Sequence, residues 1–195
     1  MIAPRDPSFL DALRDVRDGL AGLGLPWMII GGVAVIASGV PRYTADIDLT
    51  VSASDEPPER IIAALRRHGI VPRIEGAAAF AREHHVVLLR HEASGVSLDI
   101  SLAWLPFEEE AIRTAREADF AGVPVRLPRV DDLIIYKLVA ARPRDLEDVE
   151  RLLALHGPGL DLLRLARVVG EFADALDDRA RPATLARLLR EAGLE

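Results

Sequence analysis

The chain reads as an α/β (α+β) protein, with a sheet-containing unit over residues 1–128 and a helical region over residues 129–195. Three observations predict this. Short apolar runs of strand length alternate with segments of helical period as far as Leu127. After Pro128 the apolar positions keep only helical spacing. The chain also has 195 residues, half of them hydrophobic. A chain of that size buries about 70% of the surface its unfolded form exposes, and needs no disulfide or structural metal to fold.

The elements follow in order. Asp6-Pro7 opens a helix with a capping residue and a first-turn proline, and Phe9, Leu13, Val16, Leu20 and Leu23 keep its period until Gly24 and Pro26. Trp27–Ile30 has the pattern of a buried strand. Gly31-Gly32 follows at once, and Val33–Ser38 suits a short helix ended by Gly39 and Pro41. Ile47–Val51 reads as a strand, and Pro57-Pro58 opens a helix through Ile61, Ile62 and Leu65 to Gly69. Val71–Ile74 is a short strand. Val86–Arg90 and Val96–Leu102 form a hairpin across Glu92–Gly95, since the second strand alternates as Val96, Leu98, Ile100, Leu102. Glu108–Arg116 reads as helix and Gly122–Leu127 as the last strand. Asp131–Ala141, Asp145–Leu155, Leu160–Leu176 and Thr184–Ala192 are helices, separated by Pro143, Gly157-Pro158 and Pro182.

Composition excludes several function classes. There is no cysteine, which removes thiol nucleophiles, thiolate zinc sites and iron–sulfur clusters. No apolar run approaches the roughly 20 residues that span a bilayer, and the MIAPRDPSF start lacks a leader's apolar core, so a cytoplasmic protein with no membrane partner is expected. The formal net charge of −7 argues against a general nucleic-acid coat, while leaving room for a local basic groove or a bound cation.

Three features carry chemistry. Gly31-Gly32, between a strand and a helix, suits either a tight turn or a backbone cradle that points amides at an anion. Asp46-Ile47-Asp48 opens a strand, and alternate strand residues share a face, so two carboxylates project together. At 4 Å and an effective dielectric near 20 they repel by about 4 kcal/mol. Either water solvates the pair at a strand entrance, or a magnesium or manganese ion shared with substrate phosphates relieves it. Asp99 interrupts the apolar alternation of Leu98 and Ile100. It belongs either on the solvent face or beside Asp46 and Asp48. Three such acids suit two magnesium ions, one activating a hydroxyl and one stabilising a leaving pyrophosphate.

Ile30-Gly31-Gly32, thirteen residues, Asp46-Ile47-Asp48 and then Asp99 resemble the nucleotidyltransferase superfamily with a DNA-polymerase-β-like palm. The stretch Arg42-Tyr43-Thr44-Ala45-Asp46-Ile47-Asp48 is more specifically similar to the AbiEii/MenT-type branch, which includes toxins of toxin–antitoxin pairs. Lys137 and the segment Arg144-Asp145-Leu146-Glu147-Asp148 match that branch's later motifs, and the resemblance covers residues 27 to 155. It implies a mixed-sheet palm with flanking helices. It implies transfer of a nucleoside monophosphate from a nucleoside triphosphate, with Mg2+ or Mn2+, to a hydroxyl on tRNA, protein or a small molecule. A cognate antitoxin is the implied partner. Asp46, Asp48 and Asp99 would be the metal-binding catalytic acids, and Gly31, Gly32, Arg42, Thr44 and Lys137 the nucleotide-binding set, with Asp145 in support. The alternative is a non-catalytic nucleotide-binding or protein-interaction module on the same fold. Retention of all three acids favours the enzyme.

Several residues have plainer readings too. Lys137 is the only lysine in the chain, and it either snorkels from an apolar helix or supplies a point charge to phosphate. Asp145 reads first as a helix N-cap with Asp148 at the third position. Arg42 and Thr44 either contact phosphate or fix their loop. His84 and His85 read as strand neighbours on opposite faces, which disfavours joint metal ligation with His91. Trp27, Trp104 and Tyr136 read as core or core-edge aromatics, and Glu108-Glu109-Glu110 as a solvated helix start.

Overall fold

The computed structural model describes residues 6–53 and 56–194. Met1–Arg5, part of the stretch read above for a leader, lie outside the described residues. The chain forms two compact units. Residues up to Ala37 together with Arg42–Pro128 make the first, and Ser38–Pro41 with Arg129 onward make the second.

The first unit begins with helix α1 (Pro7–Ala21). Asp6 caps it, accepting from the Ser8 amide at 2.9 Å and the Ser8 hydroxyl at 2.5 Å. These bonds, the hydroxyl's first, hold the Asp6 carboxyl below its ordinary value. Phe9, Leu13, Val16 and Leu20 are fully buried, as their helical spacing requires. Then follow β1 (Trp27–Ile30), α2 (Gly31–Ala37), β2 (Asp46–Val51), α3 (Pro58–Arg66) and β3 (Ile70–Pro72). Next come α4 (Ala77–His84), β4 (Val86–His91), β5 (Ser97–Leu102), α5 (Pro106–Thr114), β6 (Arg116–Phe120) and β7 (Val123–Leu127).

Five strands make a mixed sheet in the order β1-β2-β5-β4-β3, in which only β2 and β5 run parallel. Strand alternation gives the sheet two unlike faces. Ile29, Ile47, Leu49, Val51, Leu98, Ile100, Val87 and Leu89 form one, and all are buried. His91 lies on this face, and its Nε2 is 2.9 Å from Asp15 of α1, so α1 covers the apolar side. His91 Nδ1 is 2.7 Å from Ser94 Oγ, which ties the β4–β5 turn to the same ring. Asp46, Asp48 and Thr50 of β2 and Ser97, Asp99 and Ser101 of β5 line the other face.

Five local expectations in the first unit need correction. Residues 77–84 form α4, where no element was predicted; alanines give no apolar stripe to read. His84 therefore ends a helix and His85 is its left-handed cap at φ 54°, instead of the two flanking each other on a strand. Arg116 opens β6, whose polar sequence hid it, and β6 pairs with β7 in a separate two-stranded sheet. Trp104 is 61% exposed and stacks on His85 with ring centroids 5.1 Å apart, so it is no core aromatic. Glu108 is buried, because its carboxylate turns back to accept from the Trp104 and Leu105 amides at 3.1 Å each.

Burial pushes the Glu108 carboxyl up from its ordinary value, against the pull of those two amides. A raised folded-state pKa contributes stability that is present at low pH and lost as pH rises through it. Chemical denaturation at pH 4 and pH 7 should therefore show the wild type doing better against Glu108→Gln at pH 4. A stability gap moving the other way would contradict this.

The second unit contains α6 (Val130–Ala140), α7 (Pro143–His156), a 3-10 turn at Gly157–Gly159, α8 (Leu162–Ala175) and α9 (Ala180–Glu191). Pro182 sits inside the first turn of α9 instead of separating helices, since a first-turn residue needs no amide donor. Asp132, fully buried, takes Arg129 Nε at 3.0 Å and Arg164 Nη2 at 2.5 Å. His156 Nε2 lies 2.8 Å from the Ser38 carbonyl oxygen, both within this unit.

Candidate active site

The acid-bearing face of the first unit is built by register. Asp48 lies opposite Asp99 across the parallel β2–β5 pair, and Asp46 opposite Ser97. All three aspartates thus project from one side of adjacent strands, the arrangement their spacing allowed. Asp46 is exposed and Asp48 half-buried, whereas Ile47 between them is buried on the far side. Thr44 is buried and its hydroxyl donates to Asp46 Oδ1 at 2.8 Å. That contact aims the Asp46 carboxylate. Arg42 Nε donates to the Tyr43 carbonyl at 3.2 Å, so the residue helps shape its own loop.

The two glycines are explained by close approach. Gly31 has φ +62°, and a Cβ there would fall 1.9 Å from Asp48 Oδ2. A Cβ on Gly32 would fall 2.4 Å from Thr44 Oγ1 and 3.1 Å from Arg42 Nη2. The turn after β1 therefore packs directly against Asp48 and against the threonine that aims Asp46. Gly32 is in helical conformation, so Gly32→Ala adds no backbone strain and sets the clash with Thr44 against the roughly 1 kcal/mol that alanine gains in helix propensity. It should cost about 1–3 kcal/mol by overpacking in chemical denaturation. A change below about 0.5 kcal/mol would show that Thr44 yields freely.

Asp99 has a partner that sequence reading missed. Arg73 Nη1 is 2.6 Å from Asp99 Oδ1. The available signal was an arginine beside a short strand. Its relation to Asp99 depends on the β3–β4–β5 register, which no local pattern encodes.

Lys137, Asp145 and Asp148 lie together in the second unit. The Lys137 ammonium is 2.8 Å from Asp145 Oδ1 and 3.0 Å from Asp148 Oδ2. Lys137 is only 6% exposed, so it does not snorkel to water as its apolar helix suggested. Asp145 is not the N-cap either. Arg142 holds that position, Asp145 falls in the first turn of α7, and its carboxylate is taken by the lysine.

Against this geometry, the profile of the family described as nucleotidyl transferase AbiEii toxin, type IV TA system, matches residues 14–194. The chain belongs to the AbiEii nucleotidyltransferase family. No curated protein matches it. Among solved structures, the AbiEii-family chain is similar to the antibiotic-resistance factor ANT(2'')-Ia, at 20% identity over 94% of this chain and 96% of that one, with a TM-score of 0.55. It is similar to the lincosamide antibiotic adenylyltransferase LnuA, at 17% identity over 74% of this chain and 96% of that one, with a TM-score of 0.52. JHP933 from Helicobacter pylori is similar at 19% identity over 94% and 88% of the respective chains, with a TM-score of 0.50. These likenesses show a shared fold.

The donor chemistry of this AbiEii-family chain suits a hard divalent cation. Asp46 and Asp48 offer carboxylate oxygens from one face of β2. Among the described residues no group of three or more His, Cys, Asp or Glu side chains is arranged as a metal cage. Magnesium does not require one, since it is commonly held by one or two carboxylates together with substrate phosphates. Among the described residues no helix is long and apolar enough to cross a membrane.

Proposed function

We propose that this chain transfers a nucleoside monophosphate from a nucleoside triphosphate to a hydroxyl acceptor, with release of pyrophosphate. The observation that carries the reading is the shared face of Asp46, Asp48 and Asp99, with Gly31 packed beneath Asp48. Asp46 and Asp48 would hold Mg2+ or Mn2+ together with the triphosphate, and Asp99 would complete the set. Bound there, the cation supplies charge neutralisation to the phosphates and polarisation of the reacting oxygens. Thr44 keeps the Asp46 carboxylate aimed, and Gly31 and Gly32 leave backbone within reach of phosphate. Arg42, beside Gly32, is the proposed cationic contact from the loop. Catalysis is then mostly positioning and electrostatic stabilisation.

The proposal extends to the acceptor: RNA or protein with a cognate antitoxin, which the toxin description of the family supports, or a small molecule, which the antibiotic adenylyltransferase among the similar folds supports. A cytoplasmic location is part of the same proposal. A phosphate contact by Lys137, supported by Asp145, is a separate proposal, because both carry a structural role in their own unit.

Magnesium dependence of nucleotide binding tests the reading. Without a cation the carboxylates repel the triphosphate, so a triphosphate should raise the melting temperature only with Mg2+ or Mn2+ present. Equal triphosphate affinity in EDTA and in magnesium, measured by titration calorimetry, would contradict it.

A further inference from the structure

The third acid of the set is held by another residue. Arg73 follows β3, and its amide donates to the Leu88 carbonyl at 3.1 Å. Pro72 pairs with Leu89 and Leu88 with Asp99, so Arg73, Leu88, Asp99 and Asp48 form one row across four strands, on one face. The arginine side chain reaches over Leu88. Its Nη1 meets Asp99 Oδ1 at 2.6 Å and lies 3.4 Å from the Leu89 carbonyl oxygen. A divalent cation on that carboxylate would sit within a few ångströms of a full positive charge. The two side chains are 29% and 37% exposed, with Oδ1 itself covered, so water reaches the rest of the pair. An ion pair so exposed shifts an equilibrium by no more than about fivefold, small enough to be exchanged during a reaction cycle.

We propose that Arg73 is a positioning residue that competes with the divalent cation for Asp99. The inference rests on the metal-dependent reading above and adds a control to it. Asp46 and Asp48 are the resting cation site. Asp99 joins only when the guanidinium moves off into water or onto an anion. No covalent bond changes in this exchange: an Asp99–arginine contact is replaced by an Asp99–cation contact.

The test is Mn2+ binding without nucleotide, read from the electron paramagnetic resonance signal of free Mn2+. Arg73→Gln, and Arg73→Met, which keeps an apolar stem over Leu88, should bind Mn2+ about three- to fivefold more tightly than the wild type. Arg73→Lys should return to within about twofold of the wild type, because a cation still faces Asp99. In an Asp99→Asn background, Arg73→Gln should change nothing. Tightening that persists in that background would overturn the proposal, since it would be a general effect of charge. Unchanged or weaker Mn2+ binding by Arg73→Gln, in a protein whose binding Asp48→Asn still impairs, would overturn the role of Arg73 and leave the metal reading in place. Absence of Mn2+ binding by both wild type and Arg73→Gln would overturn the proposal, since no resting cation site would exist, and would leave the nucleotide-dependent reading to its own calorimetric test.

Discussion

Replacing Lys137 with alanine is expected to lower the unfolding free energy by about 3–5 kcal/mol, the range for breaking a buried ion pair by removing one partner. The lysine is 6% exposed and Asp145 7%, so the substitution takes the cation from a carboxylate that water does not reach to replace the ammonium. It also removes the ion pairs that tie α6 to α7, since the lysine comes from one helix and both acids from the other. Lys137→Met should be nearly as damaging, because it restores volume but not charge. Urea denaturation of both variants checks this. A loss below about 0.5 kcal/mol would mean the aspartates find other partners. Lys137→Arg keeps the charge, and its triphosphate affinity at fixed magnesium tests the separate phosphate proposal. Its loss with the fold intact would support a ligand contact by this residue.

The second large effect is on transfer. Asp48→Asn should lower the rate by at least about 10²–10³-fold, the scale of losing one preorganised charge-stabilising group. Asp48 lies opposite Asp99 on the parallel strand and over Gly31, so an isosteric amide keeps the packing while removing the charge. Stability should be unchanged or slightly raised, because repulsion among the acids is relieved. Single-turnover rates and a denaturation curve separate the two readouts. A large loss of stability would assign Asp48 to the fold in place of the chemistry.

Much of the first unit was legible because its signals are local. Trp27–Ile30 is a strand bounded by Pro26 and Gly31, and the β4–β5 hairpin follows from the alternation of Leu98, Ile100 and Leu102. Asp46 and Asp48 share a face by strand geometry alone. What was hidden depends on partners distant in sequence or on weak local contrast. The alanine-rich α4 and the polar β6 present no periodic apolar stripe. Glu108 is buried by a backward reach to two amides, which an acidic run does not advertise. Lys137 sits among apolar helix neighbours, and only the packing of α7 shows that its charge is met by two acids. Arg73 reaches Asp99 only after three strands are in register.

On the proposed function, the Asp46–Asp48 face transfers the α-phosphoryl group with its nucleoside. The most direct measurement incubates the full chain with magnesium, a lysate as acceptor source, and each nucleoside triphosphate labelled in turn at the α- or the γ-phosphorus. α-Label should enter RNA, protein or a small molecule, γ-label should leave in pyrophosphate, and Asp48→Asn should abolish the incorporation. Incorporation of γ-label, or α-label incorporation undiminished in Asp48→Asn, would contradict it.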